Sequence, residues 1–155
     1  MPKFYSHIES IASIKHSISG NGTADYGPGA EILFGTTASA TTGLTAGSIY
    51  VMKGGVWVAM DADDADTCRQ LAAVALGANS STDGMLIKGC VTLADAYTAG
   101  TDGEGTRVFA STTAGEATIT APSASGDTVR VLGYSLNVGN KKMFFNPDST
   151  HIEIA

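Results

Sequence analysis

Four carboxylates within six residues, Asp61, Asp63, Asp64 and Asp66, form the densest cluster of chemically active side chains in this 155-residue sequence. Hard divalent cations take several oxygen ligands, so the cluster invites a calcium assignment. The spacing argues against it. With Asp61 as the first ligand of an EF-hand loop, the sixth position is Asp66 where the turn needs glycine, and the twelfth is Ala72 where a bidentate glutamate belongs. The expectation is a solvated acidic loop, because like charges are held most cheaply in water. No metal and no cofactor is expected.

Nucleophilic catalysis needs a nucleophile, a base and a group that orients the base. The histidines are His7, His16 and His151, and no GxSxG elbow occurs. His151 alternates with Ile152 and Ile154, which reads as a surface or interface histidine at the end of a strand. Glu104, Glu116 and Glu153 could each join an aspartate in glycoside cleavage, but a sequence does not fix the separation of two carboxylates. Gly20-Asn21-Gly22 and the Gly100 to Gly105 stretch lack the lysine of a phosphate loop and the GxGxxG spacing, so both read as turns. Cys68 and Cys90 stand 22 positions apart, outside any CxxC spacing, and read as buried small hydrophobes. These readings together predict a protein that is not an enzyme.

The elements that carry these residues follow from composition and periodicity. Alanine, threonine, serine and glycine make up nearly half of the chain, while 15% of residues are charged and 7% aromatic. That balance favours short strands and many turns over helical bundles, so an all-β fold is expected, a compact β-barrel or β-sandwich with an extended N-terminal arm. The net charge is −6 and the nine basic residues are scattered, which predicts no direct nucleic-acid partner. No apolar run is long enough to cross a bilayer and the N-terminus lacks a basic-then-apolar signal, so no membrane partner is expected either.

The division expected is an arm and connector over residues 1–47 and a β-domain over 48–155. Within the arm, Phe4, Ile8, Ile11, Ile14 and Ile18 recur mostly three or four apart, the spacing of an apolar stripe on a short helix over 4–18. Five serines between residues 6 and 19 leave open an arm ordered by a partner. Residues 20–47 read as an extended connector with one apolar patch, Ile32-Leu33-Phe34. Ile49 to Met52 and Val56 to Met60 flank Lys53-Gly54-Gly55, the chemistry of a tight hairpin. Leu71 to Leu76 reads as a strand by its length, with a helix as the alternative, Met85 to Leu93 as a central strand, and Arg107 to Ala110 with Ala117 to Thr120 as a second hairpin. Thr128 to Leu136 is expected to be one strand buried on both faces, with Leu132, Tyr134 and Leu136 on a common side. His151 to Ala155 is expected to close the chain as an alternating strand. Trp57, Tyr50 and Tyr134 are expected in the core, the alternative being an exposed platform for sugars. Arg130 sits in an apolar strand, so it should meet an acid such as Asp127, or a neighbouring subunit.

Trp57-Val58-Ala59, the acidic loop, Leu71 to Gly77, Gly84 to Gly89, Phe109 to Gly115, Gly126 to Tyr134 and Phe144-Phe145-Asn146-Pro147 follow one another in an order that covers about two thirds of the chain. This pattern resembles a C-terminal module of tailed-bacteriophage virion structural proteins, found in capsid decoration proteins, head fibres and tail-fibre-like proteins. The resemblance implies a small β-domain, often trimeric, with no catalytic residues to carry over. A fibre would need a shaft of repeats or heptads, and none is visible. The expectation is therefore a decoration protein that cements the outer capsid surface. Its partners would be the major capsid protein and two further copies of itself. It would be located on the virion exterior after synthesis in the host cytoplasm. The interface is expected to use Phe4, Ile8, Ile11, Ile14, Ile18, Ile32, Leu33, Phe34 and Arg130. The alternative is a short receptor- or glycan-binding spike.

Overall fold

The computed structural model describes residues 29–35, 41–95, 97 and 103–155. The stripe residues Phe4, Ile8, Ile11, Ile14 and Ile18, and the helix expected over 4–18, lie outside the described residues. What is described is all-β apart from one helical turn. The elements are β1 (Glu31–Leu33), β2 (Ile49–Lys53), β3 (Val56–Ala59), α1 (Ala65–Cys68), β4 (Ala72–Ala75), β5 (Met85–Thr92), β6 (Arg107–Ala110), β7 (Ala117–Thr118), β8 (Thr128–Val129), β9 (Val131–Asn137), β10 (Lys142–Phe145) and β11 (Ile152–Glu153).

Nine of the strands form one antiparallel sheet that curls into a half-barrel, in the order β3-β2-β4-β5-β10-β9-β6-β7, with β1 also on β5. β5 is the hub. Its first half pairs with β4 and β1, and its second half pairs with β10, Cys90 opposite Phe144. The two ends of the curled sheet are then stitched together through the β6–β7 turn. Ile49 donates its N–H to the Gly115 carbonyl (2.8 Å), Gly115 to Met60 (2.7 Å), and Ala62 to Ser111 (2.9 Å). The main core fills the concave side, with Ile49, Val51, Val74, Leu86, Val91, Val108, Leu132, Met143 and Phe145 buried.

The hairpin expected over Ile49 to Met60 forms with Tyr50 opposite Ala59 and Met52 opposite Trp57. Leu71 to Leu76 contains a strand whose four residues are all buried. The reason is visible on its convex side, where Trp57, Ala73, Ala75, Met85 and Leu44 form a second cluster. Leu44 comes from the expected connector. Where that connector is described it packs on the body: β1 pairs with β5, the Thr41 hydroxyl accepts the Trp57 N–H (3.0 Å), and Gly47 donates to Ala75 (2.7 Å). A strand with apolar cover on both faces reads as a continuous apolar run, which is what residues 71–76 are.

The stretch Thr128 to Leu136 departs from expectation in two ways. The ladder breaks at Arg130, which leaves β8 to pair with β11 and β9 to enter the main sheet. Within β9 the alternation then slips. Val108 faces Gly133 but Phe109 faces Val131, so Leu132 and Gly133 together oppose one step of β6, a β-bulge. Leu132, Gly133 and Ser135 are consequently buried, while Tyr134 and Leu136 turn outward at 47% and 45% exposure. Tyr134 is therefore not a core residue, and Cys90, also exposed, is not a buried hydrophobe. The expected terminal strand shortens to β11, and both its residues are exposed.

Gly133 is the residue that permits the bulge. Its φ is 143°, and a Cβ there would overlap the Phe144 carbonyl. Gly133→Ala is expected to cost about 3 kcal/mol or more through backbone strain and forced separation of β9 from β10. Gly126, at φ 91° with nothing within 4 Å of its Cβ position, should tolerate alanine at about 1 kcal/mol. Urea unfolding of the two variants measures the difference, and equal losses would refute the role given to Gly133.

Candidate functional site

Arg130 is the only site residue expected from sequence that lies in the interior of the described structure, at 5% exposure. It occupies the break between β8 and β9. Its Nε donates to the Asp148 carbonyl (2.8 Å), and one terminal nitrogen donates to the carbonyls of Cys68 (2.8 Å) and Gln70 (2.5 Å). The guanidinium fork thus gathers the end of α1, the approach to β4 and the loop after β10. Among the described residues it makes no ion pair. Burial pulls its pKa below the ordinary guanidinium value, against the opposing influence of Cys68 and Asp148. The side chain keeps its charge at neutral pH all the same.

The expected partner Asp127 is engaged elsewhere. Its Oδ2 accepts the Ala124 N–H (2.9 Å) and closes the turn before β8. Residues three apart on an extended chain point to opposite faces, so Asp127 and Arg130 cannot readily meet. Backbone carbonyls replace the missing carboxylate because α1 ends there, and the last carbonyls of a helical turn have no partner of their own.

The acidic loop uses its carboxylates locally. Asp64 caps α1 by accepting the Asp66 N–H (3.0 Å), and Asp61 accepts the Asp63 N–H (3.3 Å). Partial burial, then a side-chain hydrogen bond with Asp63 and the charges of Asp63 and Asp64, raise the Asp61 pKa against the lowering pull of the Asp63 N–H. Among the described residues no three metal-ligating side chains come together. Cys68 is fully buried, and burial pushes its thiol up to about 11, which keeps it protonated and unreactive at neutral pH. The ring of His151 is half-buried and its Nδ1 has no hydrogen-bond partner among the described residues.

Above Arg130 the surface forms a shallow groove of about 280 Å³ walled by Leu71 and Pro147. Leu71 is 48% exposed and Ile152, on the nearby β11, is 65% exposed. Arg69, two residues before Leu71, forms an ion pair with Glu153, so the two aliphatic side chains are held on segments tied to each other. Sequence reasoning missed both. In the sequence Leu71 reads as the first residue of a strand and Ile152 as part of an alternating one. The other expected interface residues that are described, Ile32, Leu33 and Phe34, do not line this groove. Ile32 and Leu33 are half-buried on β1, and Phe34 is exposed with its ring against Gly84.

Arg130→Ala should destabilise the fold by about 3 kcal/mol, since three carbonyls, that of Cys68 buried and those of Gln70 and Asp148 partly so, lose a charged donor together. Arg130→Lys should recover less than half of that, because one ammonium cannot reproduce the fork. Urea unfolding would measure both, and an alanine variant as stable as the parent would refute the clamp. A second expectation concerns acid. The Thr150 N–H on Asp148 Oδ1 (2.9 Å) holds that carboxyl below its ordinary 3.8. A depressed carboxylate stabilises the fold above its unfolded pKa and loses that effect as pH falls through the folded value. Asp148→Asn should therefore flatten the loss of melting temperature below about pH 4.

Comparison with protein-family models, with curated proteins and with solved structures finds no match to this chain.

Proposed function

We propose that this protein is a non-enzymatic structural component of a tailed-bacteriophage virion that decorates and cements the outer capsid surface as a trimer. Its partners in this reading are the major capsid protein and its own copies. The observation that carries the reading is the surface around Arg130: two exposed aliphatic side chains stand there, Leu71 just after a carbonyl held by the buried guanidinium, and Ile152 on β11, which pairs with β8 and is tied by Glu153 to Arg69. Rigid apolar anchors lose little entropy on contact, which suits a surface that must bind the same lattice at many positions. Within the acidic loop Asp64 caps α1 and Asp61 accepts the Asp63 N–H, and the Cys68 thiol is held protonated, which gives these three side chains structural roles. The order of sequence motifs, which resembles that of phage virion proteins, supports the same reading.

One observation favours the alternative, a receptor- or glycan-binding spike. Tyr134 is exposed next to Arg107 and Glu104, over an open groove of about 550 Å³. An aromatic face with flanking charged hydrogen-bonding groups is chemistry that sugars accept.

The test is co-sedimentation with capsids of the phage that encodes the protein, assembled without it. The intact chain should bind saturably. Leu71→Glu together with Ile152→Glu should weaken binding at least about tenfold, the cost of two lost apolar anchors, with the melting temperature unchanged. Absence of binding by the intact chain would overturn the reading and transfer the case to Tyr134, whose replacement by alanine would then abolish retention on host-surface glycans.

A further inference from the structure

An arginine side chain carries five N–H donors, and Arg130 uses three of them inside the protein. The N–H on Nε serves Asp148, and the two on Nη1 serve Cys68 and Gln70. Among the described residues both N–H groups of Nη2 are left without an acceptor. They are not sealed in. Among the described residues the unpartnered side-chain atoms shut off from solvent are Thr128 Oγ1 and His151 Nδ1, so Nη2 opens to the surface. Arg130 lines the groove of about 280 Å³ together with Arg69, Leu71, Pro147 and Ser149, and that groove is where Nη2 emerges. The carboxylates beside the groove are engaged elsewhere. Asp148 accepts the Thr150 N–H, and Glu153 pairs with Arg69. The guanidinium is thus desolvated before any ligand arrives, and an incoming anion meets a charge that water barely screens.

We infer that this groove receives an acidic side chain of a partner protein, its carboxylate accepting from Nη2 and its aliphatic stem lying between Leu71 and Pro147. Charge selects the ligand. The guanidinium offers one positive charge, since Arg69 is already paired with Glu153, and Asp148 adds a negative charge within range of Arg130. A monoanion suits that balance, and a phosphate dianion is opposed by it. Size selects the source. Pockets that enclose small ligands run from about 300 to 1,000 Å³. This groove is smaller and shallow, so a free acid finds little contact in it. A side chain borne on a larger surface gains the rest from exposed Leu71 and from Ile152, which the pairing of Glu153 with Arg69 holds nearby. The inference deepens the capsid reading by naming what a partner brings to this surface, and rests on that reading only for which protein brings it.

The test uses the full chain without capsids and follows the Arg130 Nε–Hε resonance by NMR. Four probes are titrated: acetyl-Leu-Glu-Leu-amide, acetyl-Leu-Gln-Leu-amide, sodium acetate and inorganic phosphate. The glutamyl peptide should shift the resonance saturably and bind at least about tenfold more tightly than each of the other three, as expected for a charged hydrogen bond at a desolvated guanidinium. Ser149→Trp fills the groove from an exposed position, so it should abolish the response without lowering the melting temperature. No saturable shift, or equal affinity for the glutamyl and glutaminyl peptides, would overturn the inference. Acetate or phosphate binding as tightly as the glutamyl peptide would overturn it too, and make the groove a site for free anions. A response that survives Ser149→Trp would move the binding out of the groove and sink the assignment. The capsid reading is judged apart from this: a chain that answers the peptide but leaves capsids unbound keeps the groove and loses the capsid, and the reverse result does the opposite.

Discussion

The buried guanidinium of Arg130 joins parts of the structure that the sheet itself leaves apart. It stands where β8 and β9 separate, and its three hydrogen bonds collect carbonyls from the end of α1, from the segment leading into β4 and from the loop after β10. A charged donor inside a small protein is costly to desolvate, and it is tolerated here because its hydrogen bonds to three carbonyls offset that cost, that of Cys68 being buried. The geometry also explains why the donor is arginine. A flat fork can serve several acceptors spread around one plane, which a single ammonium cannot do.

Given that clamp, the curled sheet distributes its burial unevenly. Its concave side is filled by one continuous cluster from β2 to β10, while among the described residues its convex side is closed by 41–47 over one half. The bulge at Gly133 decides what the other half shows. Without the extra residue, Leu132, Tyr134 and Leu136 would share a face, and the ring of Tyr134 would compete for core space with Leu132. With it, the leucine goes in and the tyrosine goes out.

Much of this architecture can be read from the sequence where local signals are strong. The Gly54-Gly55 hairpin, the central position of β5 and the all-β character follow from turn chemistry and from runs of β-favouring residues. Legibility fails where a non-local event shifts the register. A single bulge inverted the reading of Tyr134, and a break in the ladder turned one expected strand into β8 and β9. The partner of Arg130 was missed for a related reason. Sequence inspection finds charged side chains, whereas the acceptors here are main-chain carbonyls of Cys68, Gln70 and Asp148, which no residue type advertises. The exposure of Leu71 and Ile152 escaped as well, because apolar residues at strand ends look the same whether covered or bare.

The stitches that close the half-barrel join Ile49 to Gly115 and Ala62 to Ser111, positions far apart along the chain. Such contacts form late, because a long loop must close before any of them adds stability. On a ribosome, the hairpin of β2 and β3 emerges long before Gly115, and longer still before Arg130. The first half of the sheet therefore waits with its concave face open until the second half is made. The order of synthesis makes the C-terminal third the part that commits the chain to its fold, and a protein halted before that point would present a sticky, unfinished surface to every neighbour.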